Sequence, residues 1–128
     1  MKKSISCLLL LVTGSAVGAL PYPQSDTWPS CNVEVQHRLA VNTGVSDGDP
    51  LQAHISIRAS VLQRDISTAL EDRYLSESQA AQMWHRVDLI RRDSDSYRKG
   101  HKFLGAAELA AYDRELDDIA GQICRVVR

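Results

Sequence analysis

Two segments of the chain, residues 74–90 and 103–119, align with each other without a gap at an offset of 29 residues. Both place apolar side chains at steps of three and four residues, the spacing that forms a stripe along one side of an α-helix. The first stripe contains Ala80, Met83, Trp84, Val87 and Ile90, and the second contains Leu109, Tyr112, Leu116, Ile119, Ile123 and Val127. An apolar stripe must be covered, so the two predicted helices are expected to pack on each other and on a third helix. Trp84 and Tyr112 are predicted to belong to the shared core.

Each segment begins with a helix-start signal. Ser76 followed by Gln79 is a capping box, in which the hydroxyl accepts from a free amide and the glutamine reaches back to the cap. Gly105 followed by Glu108 is a weaker version, because glycine has no side-chain acceptor. Gly100 is predicted to end the first of these two helices.

The third helix is predicted from Asp49 and Pro50, an N-cap acceptor followed by proline at the first helical position. Its stripe runs towards Arg73 and contains Ile55, Ala59, Leu62, Ile66 and either Ala69 or Leu70. Residues 32–41 fit both strand alternation and helical spacing, and we favour a short helix because no second strand candidate is clear. The pattern predicts an all-α fold, a three-helix antiparallel bundle.

The N-terminal residues have the pattern of a cleaved secretory signal. Residues 1–19 combine Lys2 and Lys3, an apolar centre and the small residues that precede a cleavage site. Residues 20–30 contain Pro21, Pro23 and Pro29, which favour an extended arm. Residues 31–128 are predicted to be a single helical domain in the periplasm, and no later segment is long enough to span a membrane.

Two cysteines remain after the predicted leader and its Cys7 are removed. In an exported protein, Cys31 and Cys124 are expected to form one disulfide that ties the N-terminal segment to the last helix. A loop of about 100 residues gives up to about 4.7 kcal/mol of stabilisation in the chain-entropy model. This is a large share of the ~5–15 kcal/mol net stability of an ordinary domain.

The charge balance argues against a nucleic-acid partner. Two of the fifteen basic residues lie in the predicted leader, so the mature chain has thirteen basic and sixteen acidic residues. A nucleic-acid-binding domain is instead strongly basic. Six basic side chains are nevertheless concentrated in one region: Arg86, Arg91, Arg92, Arg98, Lys99 and Lys102. They form either a docking face for an acidic protein partner or ordinary helix pairs with Asp88, Asp93 and Asp95.

The sequence has no recognised catalytic or metal-ligand pattern, so we predict no catalytic residue, no metal site and no cofactor. Each of the four histidines is expected to be a surface or half-buried side chain: His37, His54, His85 and His101. Glu115, Asp117 and Asp118 are expected to form a solvated acidic face.

The two helix-start phrases carry a resemblance to a protein group. Residues 75–80, Leu-Ser-Glu-Ser-Gln-Ala, and the echo at residues 104–108 resemble the repeated phrase of a diffuse, largely uncharacterised group of small exported proteobacterial helical proteins. Residues 64–66 approximate the arginine and isoleucine that precede this phrase in the group. The resemblance covers residues 64–128 and implies a helical periplasmic domain without catalytic residues. The loops depart from the acidic, glycine-containing members of the group.

Three functional hypotheses follow. The first is a non-catalytic periplasmic binding protein that acts through protein–protein contacts, most concretely an immunity protein or inhibitor of a toxin or hydrolase. The second is a periplasmic metal sensor or metallochaperone that uses histidine and acidic side chains. The third is a small hydrolase, which requires a deep pocket lined by at least two of Asp88, Glu108, Glu115 and His85.

Overall fold

The computed structural model describes residues 27–39 and 49–128. The predicted leader, the first part of the proline-rich arm and residues 40–48 lie outside the described residues. The described chain is helical, as predicted: a 3-10 helix over Pro29–Cys31 is followed by α1 (Val33–His37), α2 (Pro50–Glu71), α3 (Glu77–His101) and α4 (Ala106–Val126). Residues 33–37 therefore form the short helix that was favoured over a strand.

Asp49 fixes the start of α2, as predicted, and also reaches another part of the fold. One carboxylate oxygen accepts from the backbone N–H of Leu51 at 2.9 Å, which caps the helix. The other oxygen accepts from the backbone N–H of Leu104 at 2.6 Å, just before α4 begins. The side chain therefore joins the start of α2 to the turn between α3 and α4.

The capping box predicted at the start of α3 is present. Ser76 accepts from the N–H of Gln79, and the Gln79 side chain accepts from the N–H of Ser76. The prediction that this helix ends at Gly100 was wrong, because the helix continues to His101. Lys102 takes the positive φ of 68° that a glycine would adopt without strain.

The apolar stripes of the three long helices meet in one core. α2 contacts both α3 and α4, and α3 contacts α4. Leu62, Val87 and Leu116, one from each helix, are no more than 2% exposed and belong to the same cluster. The prediction that Trp84 belongs to this core was wrong, because its side chain is 43% exposed, whereas Tyr112 is buried as expected.

Three contacts attach residues 28–31, at the start of the N-terminal segment, to the helical body. Cys31 and Cys124 form a disulfide across 93 residues of sequence, with Cα atoms 5.6 Å apart. The backbone N–H of Ser30 donates to the buried Asp65 at 2.9 Å. Trp28 packs edge-on against Tyr74, with ring centroids 5.9 Å apart. Within the described ranges, no helix has the length and apolar character to cross a membrane.

Candidate functional site

An apolar groove runs between α2 and α3, with the exposed ring of Trp84 on one side. We call it the Trp84 groove, and it is lined by Ile66, Ser67, Leu70, Glu77, Ala80, Ala81 and Trp84. Its volume is about 220 Å³. Ligand pockets usually measure roughly 300–1,000 Å³, so this groove suits one or two side chains better than a whole cofactor.

The position of Trp84 at the edge of the stripe explains its exposure. Ala80, Met83 and Val87 face inward from α3, and Trp84 follows Ala80 by four residues on the side of the helix next to α2. The facing α2 residues are the small Ser67 and the half-buried Leu70, which leave the indole partly uncovered. Since Trp84 is carried on a helix, its backbone position is set before any partner binds.

The six basic residues predicted to form a docking face point in different directions. Arg86 pairs with Asp118 of α4 at 3.0 Å. Arg91 turns the other way and donates to Ser60 at 3.1 Å and Gln63 at 2.6 Å, both on α2. Arg86 and Arg91 therefore hold α3 to different neighbouring helices.

The remaining basic side chains are exposed or half-buried on α3 and just beyond it. Arg92 pairs with Asp88, and Lys99 pairs with Asp95 at 2.6 Å, both with the one-turn spacing that is common on helix surfaces. Arg98 lies 3.8 Å from Asp95, and Lys102 is exposed just after the end of α3. Exposed pairs of this kind are worth only about 0–1 kcal/mol, so a binding partner can exchange them at small cost.

The Trp84 groove and part of this basic region lie along the same side of α3. Trp84, Arg91 and Arg98 recur every seven residues, which keeps them on the same side of the helix. Residues 91–102 contain five arginine or lysine side chains and two aspartates. The seam between α2 and α3 is therefore apolar near Trp84 and basic towards the end of α3.

A second cluster of functional groups lies between α1, α2 and α4, with a buried centre and an exposed edge at His37. Arg58 is 1% exposed and donates through Nη1 to Asp113 and through Nη2 to Asp117, the latter at 2.6 Å. His54 Nε2 lies 3.0 Å from Asp113 Oδ1, and His37 Nε2 lies 2.7 Å from Asp117 Oδ2. Each carboxylate therefore lies between the arginine and one histidine, in the order His37, Asp117, Arg58, Asp113 and His54. With both histidines protonated, the charges alternate in sign along this series.

Both ring nitrogens of His54 face acceptors. Nδ1 lies 3.0 Å from the carbonyl oxygen of Leu39, and Nε2 faces the carboxylate of Asp113. A ring that donates from both nitrogens is the imidazolium form. The hydrogen bond with Asp113 raises the pKa of His54 above its ordinary value, against the lowering effect of burial. Burial raises the pKa of Asp113, but the hydrogen bonds from His54 and Arg58 outweigh it and lower that pKa overall.

The arrangement bears on the metal-binding hypothesis. The guanidinium of Arg58 bonds both Asp113 and Asp117, so a metal ion placed between these carboxylates would have to displace it. Over the described ranges, no group of three or more histidine, cysteine, aspartate or glutamate side chains is arranged to hold a metal ion.

A separate cleft, of about 260 Å³, lies between α3 and α4. The hydroxyl of Tyr112 donates to Asp93 at 2.8 Å at its wall, and burial with this hydrogen bond raises the pKa of Tyr112. Glu115, one of the four residues named for the hydrolase hypothesis, also lines the cleft, together with Arg86. The second carboxylate of this cleft is Asp93, which sequence analysis did not assign to a pocket.

Sequence analysis also missed the buried charge cluster. His54 was expected on the surface or half-buried and is buried, and Asp117 was expected on a solvated face and bonds Arg58 and His37. A signal for the cluster was present in the sequence. His54 and Arg58 are four residues apart on α2, and Asp113 and Asp117 are four residues apart on α4. A basic pair on one helix therefore has the same spacing as an acidic pair on the other.

No family model matches the chain, and neither a curated protein nor a solved structure matches it. A function is therefore inferred from the geometry of the described residues.

Proposed function

We propose that the protein is a non-catalytic periplasmic binding protein, folded as an antiparallel three-helix bundle, that holds a partner protein along the seam between α2 and α3. The observation that carries the proposal is the indole of Trp84, which is 43% exposed beside an apolar groove on a fixed helix. Tryptophan is enriched among the few residues that dominate binding energy at protein interfaces, because it buries a large area with little loss of side-chain freedom.

The charge along the seam sets the chemistry of the partner. An apolar side chain fills the Trp84 groove, and carboxylates on the same partner face the end of α3, where Arg98 is half-buried and Lys99 is exposed. Both cations pair with Asp95 of their own helix, and the partner's carboxylates replace these contacts at little cost. Rim charges of this kind mainly accelerate association and select against basic partners.

The most concrete form of the proposal is an immunity protein or inhibitor of a secreted toxin or hydrolase. The disulfide between Cys31 and Cys124 supports an oxidising compartment, where such a partner is met. A rigid helical surface supports inhibition, since a pre-ordered binding face loses little freedom when it blocks an active site.

Site-specific photo-crosslinking tests the proposal in two stages. A photoreactive residue at Ala81, an exposed lining residue of the groove, is expected to capture the partner in cells that make the protein, whereas the same residue at Arg114 of α4 is not. The captured protein is then purified and its affinity measured by calorimetry.

The decisive comparison uses two exposed apolar residues of α3. Trp84→Ala is expected to weaken binding about 30-fold or more, as loss of a central anchor worth about 2 kcal/mol would do. Leu89→Ala, which alters a side chain that is 49% exposed, is expected to change affinity less than about threefold. If the partner is a hydrolase or toxin, inhibition should follow the same order. Equal losses in the two variants would contradict the proposal.

A further inference from the structure

Two histidine contacts hold the part of the N-terminal segment that follows Cys31 in the sequence. His37 of α1 bonds Asp117 of α4 at 2.7 Å. His54 of α2 reaches the carbonyl oxygen of Leu39 at 3.0 Å, just past the end of α1. Residues 33–39 follow the disulfide at Cys31, so these contacts join that stretch to both α2 and α4.

The contact at His54 depends on the protons of its ring. The ring of His54 donates to Leu39 and to Asp113 at once only when both of its nitrogens carry hydrogen. A neutral ring donates one bond and turns a lone pair towards the other acceptor oxygen, so one contact becomes repulsive.

The join between α2 and α4 does not depend on the protons of His54. Arg58 bonds both Asp113 and Asp117, so α2 and α4 stay joined through a group that does not titrate in the neutral range. The charged groups that face the two histidines are Arg58 from α2 and Asp113 and Asp117 from α4. Arg38 of α1 lines the same cleft and pairs with Glu34 at 3.2 Å.

We propose that residues 33–39 form a pH-sensitive latch, which His54 closes while both of its ring nitrogens carry hydrogen and releases as the pH rises. His37, Arg38 and Leu39 form one wall of a cleft of about 340 Å³, and Leu51 and Leu109 lie on its other wall. Release of the latch widens this cleft and uncovers the two leucines, while the disulfide at Cys31 keeps the segment attached.

The direction of the switch follows from the pKa of His54. Its pKa is raised in the folded protein, so its contribution is complete below the ordinary value of 6.5 and is lost as the pH rises through the higher folded value. The latch is therefore closed in mildly acidic solution and opens on the alkaline side of 6.5.

Hydrogen exchange with mass spectrometry on the purified, oxidised protein tests the latch. Protection of the amides in residues 33–39, corrected for intrinsic exchange, is expected to fall about tenfold or more between about pH 5 and about pH 9. Peptides from α2 and α4 should keep their protection over the same range. Parallel loss in those helices would overturn the proposal, because it would mean unfolding of the whole domain.

Matched variants assign the transition to His54. In His54→Gln the pH dependence should vanish, whereas in His37→Gln, which removes only the exposed contact with Asp117, it should remain. His85→Gln, at an exposed histidine of α3, should retain the wild-type profile. Should His54→Gln fail to fold, the wild-type profile still decides, because a fall in protection that is complete below pH 6.5 refutes the part of His54 in the latch. Protection that is constant across the pH range in the wild-type protein refutes the latch altogether.

Discussion

Replacement of Arg58 by methionine is the sharpest test of how the buried charges stabilise the fold. The substitution keeps most of the side-chain volume and removes the guanidinium, which is 1% exposed and bonds both Asp113 and Asp117. Removing one partner of a buried ion pair costs about 3–5 kcal/mol, because it leaves a charge without compensation. We expect the lower end, about 3 kcal/mol, since each carboxylate keeps one histidine partner.

Urea unfolding followed by far-ultraviolet circular dichroism measures this cost. At about pH 6, 3 kcal/mol lowers the folding equilibrium constant roughly 100-fold. With a urea dependence of about 2 kcal/mol per molar, the unfolding midpoint should fall by about 1.5 M. Arg64→Met, at an exposed arginine of the same helix, should cost no more than about 0.5 kcal/mol.

A triple variant separates loss of compensation from loss of packing. Arg58→Met combined with His54→Phe and Asp113→Leu removes the buried charges together, so it should be more stable than Arg58→Met alone and lie within about 1 kcal/mol of the wild-type protein. The reasoning is refuted if Arg58→Met costs less than about 1 kcal/mol, or if the triple variant is less stable than the single one.

Three further changes probe the rest of the fold by urea or thermal unfolding. Cys31→Ser with Cys124→Ser opens the 93-residue loop and should cost about 3–5 kcal/mol, and an unchanged midpoint would show that the disulfide adds nothing. Leu116→Ala, at a side chain that is 0% exposed, should cost about 2–5 kcal/mol, against about 0.5 kcal/mol for the exposed Leu89→Ala. Ser76→Ala removes the capping box of α3 and should cost about 1 kcal/mol, and a loss below about 0.3 kcal/mol would contradict the capping role.

The helices were predictable because their signals are local. Asp49 and Ser76 cap through atoms within three residues of themselves, so the starts of α2 and α3 could be located from the sequence. The disulfide was predictable for another reason: once the leader is set aside, Cys31 and Cys124 have no other cysteine to pair with. The end of α3 was missed by one residue, because Lys102 adopts the backbone conformation expected of a glycine.

The candidate site was less predictable because it depends on how the helices sit against one another. Periodicity places Trp84 on the apolar side of α3 but does not say how far α2 reaches around that side. The indole is left partly uncovered beside Ser67 and Leu70 of α2. Similarly, His54 and Asp113 are 59 residues apart, and their contact follows from the packing of α2 on α4 rather than from any local pattern.

The link between Cys31 and Cys124 has a mechanical consequence. Tension applied to the two chain ends passes from one cysteine straight to the other, so the 93-residue stretch between them is shielded from the load. A cargo or anchor fused at either terminus could therefore be pulled without stretching the three long helices. Under reducing conditions the same pull would reach the helices and draw them apart.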